Sequence, residues 1–227
     1  MKNLVLSLLL VSAIGSLTGC KEDSKIPAPA VTSVPVIFGK VSSDINKSYY
    51  NTRRAAASIN NLPTTVSNPD PTLPPDPFIG QRPVFEFSFD IPDQRDVNIA
   101  AVEVYKSFKR GITIGPRAFV GAYTSFPATV TLNSQDALTG LQRLFTASGA
   151  TGPTASNLLA STPGQQNQIL SGDQIVFTYE YVLQDGSRVI LTPLTDVTLN
   201  DKITKVKVIS GNQINPPYAV YATFQVL

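Results

Sequence analysis

The stretch Val84-Phe85-Glu86-Phe87-Ser88-Phe89-Asp90-Ile91 has the clearest alternation in the chain. Residues at every second position of a strand share one face, so the three phenylalanines and Ile91 lie together, opposite Glu86, Ser88 and Asp90. The pattern predicts a β-strand with one buried face. Burial of each phenylalanine contributes about 1.5–3 kcal/mol, so we expect this strand to anchor the core.

Other segments carry weaker strand signals on both sides of this stretch. They are residues 34–41, 99–108, 117–123, 128–132, 174–183, 188–192, 203–209 and 218–226. Asp185-Gly186 lies between two of them and predicts a tight hairpin, because these residue types accept the positive φ values of its turn. In 203–209 we expect Ile203 to face inward and the two lysines to face outward.

Helix signals are fewer. Asn133-Ser134-Gln135-Asp136 precedes Leu138, Leu141, Leu144 and Phe145, which predicts an amphipathic helix with an N-terminal cap. Residues 44–62 fit either a helix capped by Asp44 or a loop. Together, several short strands, turn signals and one clear helix predict a mainly β chain folded as an antiparallel sandwich.

Two segments between these elements predict long connections. Residues 63–77 hold six prolines, which remove hydrogen-bond donors too often for a helix or a central strand. Residues 146–168 are rich in small polar residues and predict a polar insertion with a short helical turn near Asn157. We therefore expect one sandwich domain over 34–227 that carries both segments as loops.

Composition excludes several classes of chemistry. The chain has 227 residues, 42% hydrophobic and 15% charged, so it has enough apolar material for a packed core. It has no histidine and no tryptophan, which excludes histidine-based triads, histidine metal ligands and tryptophan sugar platforms. With 18 basic against 16 acidic residues, nothing predicts binding to nucleic acid.

The N-terminus has the features of an export signal. Residues 1–19 combine Lys2 with an apolar stretch too short to span a bilayer, and Leu17-Thr18-Gly19-Cys20 resembles the lipobox of bacterial lipoproteins. The resemblance implies cleavage before Cys20 and lipid on its thiol, so that 20–33 form a lipidated, flexible tether at the membrane. The alternative is an ordinary secretory signal. Cys20 is the only cysteine, so lipidation leaves none for disulfides.

Lys21-Glu22-Asp23 follows the lipidation site directly. The triplet resembles the export signal of Bacteroidota surface lipoproteins, which implies an outer-membrane lipoprotein that faces the cell exterior. A plain solvated tether, with retention in the periplasm, is the alternative.

Four further segments resemble an immunoglobulin-like family of small lipoproteins found beside transporter and lipoprotein pairs of the starch-utilisation type. They are Val102–Phe108, Leu170–Asp173, Phe177–Tyr181 and Leu183–Gly186. The resemblance implies an immunoglobulin-like sandwich and a surface accessory of a nutrient-uptake or adhesion system. It provides no catalytic residues.

Few residues suggest a metal site or a catalytic site. Asp90, Asp93 and Asp96 lie close together in an apparent loop, where carboxylates of this kind bind calcium, although turn formation explains them without an ion. Otherwise no cofactor is expected. Glu86, Glu103 and Glu180 are expected to be solvated strand residues rather than a catalytic pair.

The aromatic and basic residues each fit two roles. Tyr179 and Tyr181 share a face with Phe177, which favours core packing over sugar stacking. The basic cluster of Lys106, Lys109 and Arg110 is expected to form a solvated turn, with an anion site as the alternative.

The sequence therefore predicts a non-catalytic lipoprotein that binds a glycan or another component of an uptake complex. The alternative is a structural or assembly lipoprotein that contacts other envelope proteins. A carboxylate hydrolase is disfavoured, since no nucleophile and base pair is visible.

Overall fold

The computed structural model describes residues 34–51, 56–58, 83–94, 97–158, 168–210 and 217–225. The signal, the tether and the proline-rich segment 63–77 lie outside the described residues. One α-helix, α1 (Ser134–Leu138), is described. The strands, numbered in chain order, are β1 (Phe38–Val41), β2 (Tyr50–Asn51), β3 (Ala56–Ser58), β4 (Val84–Asp90), β5 (Ile99–Arg110), β6 (Thr113–Ile114), β7 (Ala118–Tyr123), β8 (Ala128–Asn133), β9 (Gln142–Phe145), β10 (Thr154–Asn157), β11 (Gln168–Leu170), β12 (Gln174–Leu183), β13 (Arg188–Ile190), β14 (Leu194–Thr198), β15 (Lys205–Ile209) and β16 (Ala219–Gln225).

Two sheets form the sandwich. The smaller has the order β1-β4-β8, and the larger has the order β2-β16-β12-β5-β6, with β13 also on β12 and β7 also on β5. Neighbours are antiparallel except for the parallel pair of β2 and β16. In immunoglobulin terms, β1, β4 and β8 take the places of strands A, B and E, and β5, β12 and β16 those of C, F and G. The expectation of a mainly β, immunoglobulin-like sandwich with one short helix is confirmed.

Aromatic rings from both sheets form the core. Phe85, Phe87 and Phe89 of β4 are at most 1% exposed, as the alternation predicted. From the other sheet, the Phe177 ring lies 4.9 Å from that of Phe87 and 5.9 Å from that of Phe85, and the Tyr179 ring lies 5.3 Å from that of Phe89. These distances are in the range of favourable aromatic pairs, so the rings lock the two sheets in register.

Gly39 of β1 lies close to side chains of the opposite sheet. A Cβ atom at this position would lie 2.6 Å from Val220 Cγ2 and 2.8 Å from Tyr179 Oη. Both neighbours are buried, and branching at Cβ makes Val220 stiff. Any side chain at position 39 therefore pushes the sheets apart.

The predicted long helix is wrong beyond its first turn. Asn133 caps α1 by accepting a hydrogen bond from the Asp136 backbone N–H, as expected. The helix ends at Leu138 because Gly140 adopts φ +75°, and the chain continues as strand β9, which pairs with β10. The expected polar insertion thus includes strand β10, and Asn157 belongs to it rather than to a helical turn.

Other local expectations also need correction. A 3-10 turn at Ile45–Lys47 is capped by Asp44, and β2 and β3 lie within 44–62 where a helix was one alternative. Ile203 is 86% exposed and precedes β15, so it does not face inward. The hairpin of β12 and β13 is confirmed, with Gly186 at φ +82°.

We predict that Gly39→Ala lowers the free energy of unfolding by about 1–3 kcal/mol, because the new methyl group collides with two buried side chains. Urea denaturation of the full chain measures the change. Gly121→Ala is the control, since its Cβ atom would meet nothing closer than 3.5 Å. Equal stability of the two variants would contradict the close approach.

Candidate functional site

The residues proposed for calcium do not form a described cluster. Asp90 Oδ1 accepts a hydrogen bond from the Ile91 backbone N–H at 2.8 Å, and Asp93 is exposed. Asp96 lies outside the described residues, as do Cys20 and the triplet 21–23. Within the described ranges, no three acidic or cysteine side chains are placed to hold a metal ion together. Calcium binding therefore remains a prediction.

A charge cluster occupies the face of the larger sheet that points away from the core. Glu180 of β12 and Glu103 of β5 lie directly opposite each other in the sheet. Like charges at such positions repel, so the pair needs compensating cations. Two arginines, one from β13 and one from the segment before β7, provide them.

Arg188 binds both carboxylates. Its Nη1 and Nη2 atoms lie 2.5 and 2.9 Å from the two carboxylate oxygens of Glu103, and Nη1 lies 3.3 Å from Glu180 Oε2. Tyr105 also donates its hydroxyl to Glu103 at 2.6 Å. The hydrogen bonds from Arg188 and Tyr105 lower the pKa of Glu103 below its ordinary value, so the carboxylate stays ionised at neutral pH.

Arg117 forms the buried part of the cluster. Its Nη2 atom lies 2.5 Å from Glu180 Oε1, and the two side chains are only 9% and 6% exposed. The guanidinium carbon lies 3.8 Å from the centre of the Tyr105 ring, a close cation–π contact. The expectation that Glu180 is solvated is therefore wrong, because the arginines compensate its burial.

Phe119 of β7 extends the cluster to the surface. Its ring is 56% exposed and packs against the Tyr105 ring at 5.7 Å in an edge-on arrangement. We call this group the sheet-face cluster, and it consists of Glu103, Tyr105, Arg117, Phe119, Glu180 and Arg188. Its one exposed ring, that of Phe119, packs on Tyr105, and Tyr105 in turn contacts the paired charges.

The same cluster does not resemble a hydrolytic pair. A general acid at neutral pH needs a raised pKa, whereas the pKa of Glu103 is lowered by its partners. Glu180 is bound by two arginines. The two carboxylates therefore act as anchors for cations.

The predicted roles of the tyrosines and of the basic cluster have different outcomes in the structure. Tyr179 and Tyr181 are at most 1% exposed and belong to the core, as expected. The basic cluster is not a solvated turn, because Lys106 is buried and donates to the Asp136 carbonyl oxygen, while Arg110 is paired with buried Asp173.

Sequence reasoning missed Arg117, Phe119 and Arg188 as site residues. The sequence places Glu180 on the face opposite Tyr179 and Tyr181, which carries no signal for its burial or for its partners. Their identity depends on which strands pair, and that information is not local.

Comparison with protein-family models, with curated proteins and with solved structures finds no match. Among the described residues, no helix has the length and apolar character required to cross a bilayer.

We predict that Glu180→Gln lowers the free energy of unfolding by about 3 kcal/mol or more, because Arg117 loses the carboxylate that compensates its buried charge. The matched control is Asp196→Asn, which removes the partner of Lys207 from a pair that is 66% and 52% exposed. That change is expected to cost less than about 1 kcal/mol. Urea denaturation measures both variants, and equal effects would contradict a structural role for the buried pair.

Proposed function

We propose that this chain is a non-catalytic lipoprotein, anchored to the outer membrane through Cys20 and facing the cell exterior, which binds a glycan or another ligand for a nutrient-uptake complex. The observation that carries the binding proposal is the exposed Phe119 ring held by Tyr105, beside the paired charges of the sheet-face cluster. Anchoring and location rest on the residues around Cys20.

The sheet-face cluster has the parts that a carbohydrate site uses. An exposed aromatic ring can stack on the apolar face of a sugar, and neighbouring charged groups can hydrogen-bond its hydroxyls. Glu103 and Arg188 supply such groups, and both contact the hydroxyl of Tyr105, on which Phe119 packs. Because strands and ion pairs hold these side chains, little conformational entropy is lost on binding.

A role in assembly with other envelope proteins is the second candidate. Ile190 is 50% exposed on β13, and its backbone lies opposite Glu180 in the sheet. An apolar side chain and Phe119 on the same sheet also suit a protein partner. Glycan binding and assembly would both use the outer face of the larger sheet. They differ in whether a sugar or a protein covers that face.

The location is tested with a membrane-impermeant protease on intact cells. We expect the chain to be cut, because surface display exposes it. Replacement of residues 21–23 by alanine should protect it until the outer membrane is ruptured, whereas Ser24→Ala with Lys25→Ala, in the same tether, should leave it exposed. Protection of the unaltered chain in intact cells would exclude a surface role.

Binding is tested with purified polysaccharides by affinity electrophoresis. We expect Phe119→Ala to weaken the retained complex about tenfold, because the exposed ring provides the stacking surface. Phe38→Ala is the matched control, since Phe38 is 55% exposed but belongs to the other sheet.

The outcomes separate the two candidates. Retention that depends on Phe119 and not on Phe38 supports a glycan site. If no polysaccharide is bound, while a crosslinker placed at position 119 captures an envelope protein that is not part of a transporter complex, the assembly role is correct. Equal effects of both phenylalanine variants would contradict a specific site.

A further inference from the structure

A cavity of about 280 Å³ lies at the end of the larger sheet, where strands β5 and β6 meet β9. Phe108, Leu144 and Phe145 form apolar parts of its lining, and the charged side chains there are Arg110 and Arg143. It shares no residue with the sheet-face cluster. Gly115 also lines it, and a Cβ atom there would collide with the Gln142 carbonyl oxygen, so the approach of the two segments requires glycine.

Arg143 brings a guanidinium group to the lining of this cavity. Its Nε atom is buried and has no hydrogen-bond partner among the described residues. The guanidinium lies 5.1 Å from the centre of the Phe145 ring. The Nε atom itself is closed to a ligand, but the Arg143 side chain lines the cavity and brings its positive charge there.

Arg110 is already neutralised. Its Nε and Nη2 atoms donate to the two carboxylate oxygens of Asp173 at 2.8 and 2.6 Å, and Asp173 is 2% exposed. Arg110, Arg143 and Asp173 together therefore leave one surplus positive charge beside the cavity. Burial and repulsion from Arg110 lower the pKa of Arg143, while attraction to Asp173 raises it.

We propose that this cavity binds a small monocarboxylate, with the carboxylate on the Arg143 guanidinium and the body of the ligand against Phe145 and Leu144. A carboxylate matches both the geometry of a guanidinium and the single surplus charge. The volume lies just below the range of sites for drug-sized ligands, which limits the occupant to about one sugar ring or a similar organic acid. A uronate and a simple aromatic acid share this chemistry.

The test is isothermal titration calorimetry of the full chain with four probes: D-glucuronate, benzoate, D-glucose and inorganic phosphate. We expect the two carboxylates to bind and glucose not to bind. Glucuronate binding tighter than benzoate identifies a sugar acid as the source, and the reverse order identifies an aromatic acid. Phosphate is expected to bind at least about tenfold more weakly than the better carboxylate, because its second charge finds no partner.

Two Arg143 variants and one control variant test whether binding depends on this arginine or only on the overall charge of the protein. Arg143→Gln is expected to weaken carboxylate binding about ten- to hundredfold, the range of a charge-assisted hydrogen bond. Arg143→Lys keeps the charge and the fold and should give an intermediate loss, because it lacks the planar donor pair. Lys207→Gln removes the same charge from a side chain that is 66% exposed and should leave the affinity unchanged.

Three results would overturn the proposal. They are absence of carboxylate binding at tens of millimolar, unchanged affinity in both Arg143 variants, and an equal loss in Lys207→Gln. The result is independent of Phe119, so loss of glycan binding at the sheet-face cluster and loss of carboxylate binding here can be told apart.

Discussion

The packing of aromatic rings between the two sheets is the constraint on which the other features depend. Phe177 contacts rings from two positions of β4, at 4.9 Å from Phe87 and 5.9 Å from Phe85. Protein interiors are close-packed, so rings at these separations fix the spacing and register of the sheets. Gly39 belongs to the same constraint, because only a residue without a side chain fits between Val220 and Tyr179.

One face of the larger sheet packs in the core, and this fixes which side chains lie on its other face. Tyr179 and Tyr181 point inward, so Glu180 between them points outward and lies opposite Glu103. The arrangement is stable because Arg117 and Arg188 bind the two carboxylates. The arginines that neutralise Glu103 and Glu180 also contact Tyr105, and the exposed ring of Phe119 packs on Tyr105. The proposed binding surface therefore rests on the same side chains that stabilise this face of the sheet.

Apolar spacing predicted burial more reliably than it predicted the type of element. Leu138, Leu141 and Leu144 are all buried, as the helical pattern required. They nevertheless lie in a helix, in the connection after it and in a strand, because Gly140 redirects the backbone and β9 pairs with β10. Burial depends on hydrophobicity, whereas the choice of backbone depends on which hydrogen-bond partner is near.

Local sequence was sufficient for the buried face of β4, the cap at Asn133 and the turn at Gly186, because alternation, capping and positive φ depend on neighbours along the chain. The candidate sites depend on contacts between distant residues. Arg188 and Glu103 are 85 positions apart, and Arg110 and Asp173 are 63 apart. No local pattern specifies such partners, since they meet only when the strands pair and the sheets pack. The tertiary structure therefore decides which arginine pairs with which carboxylate.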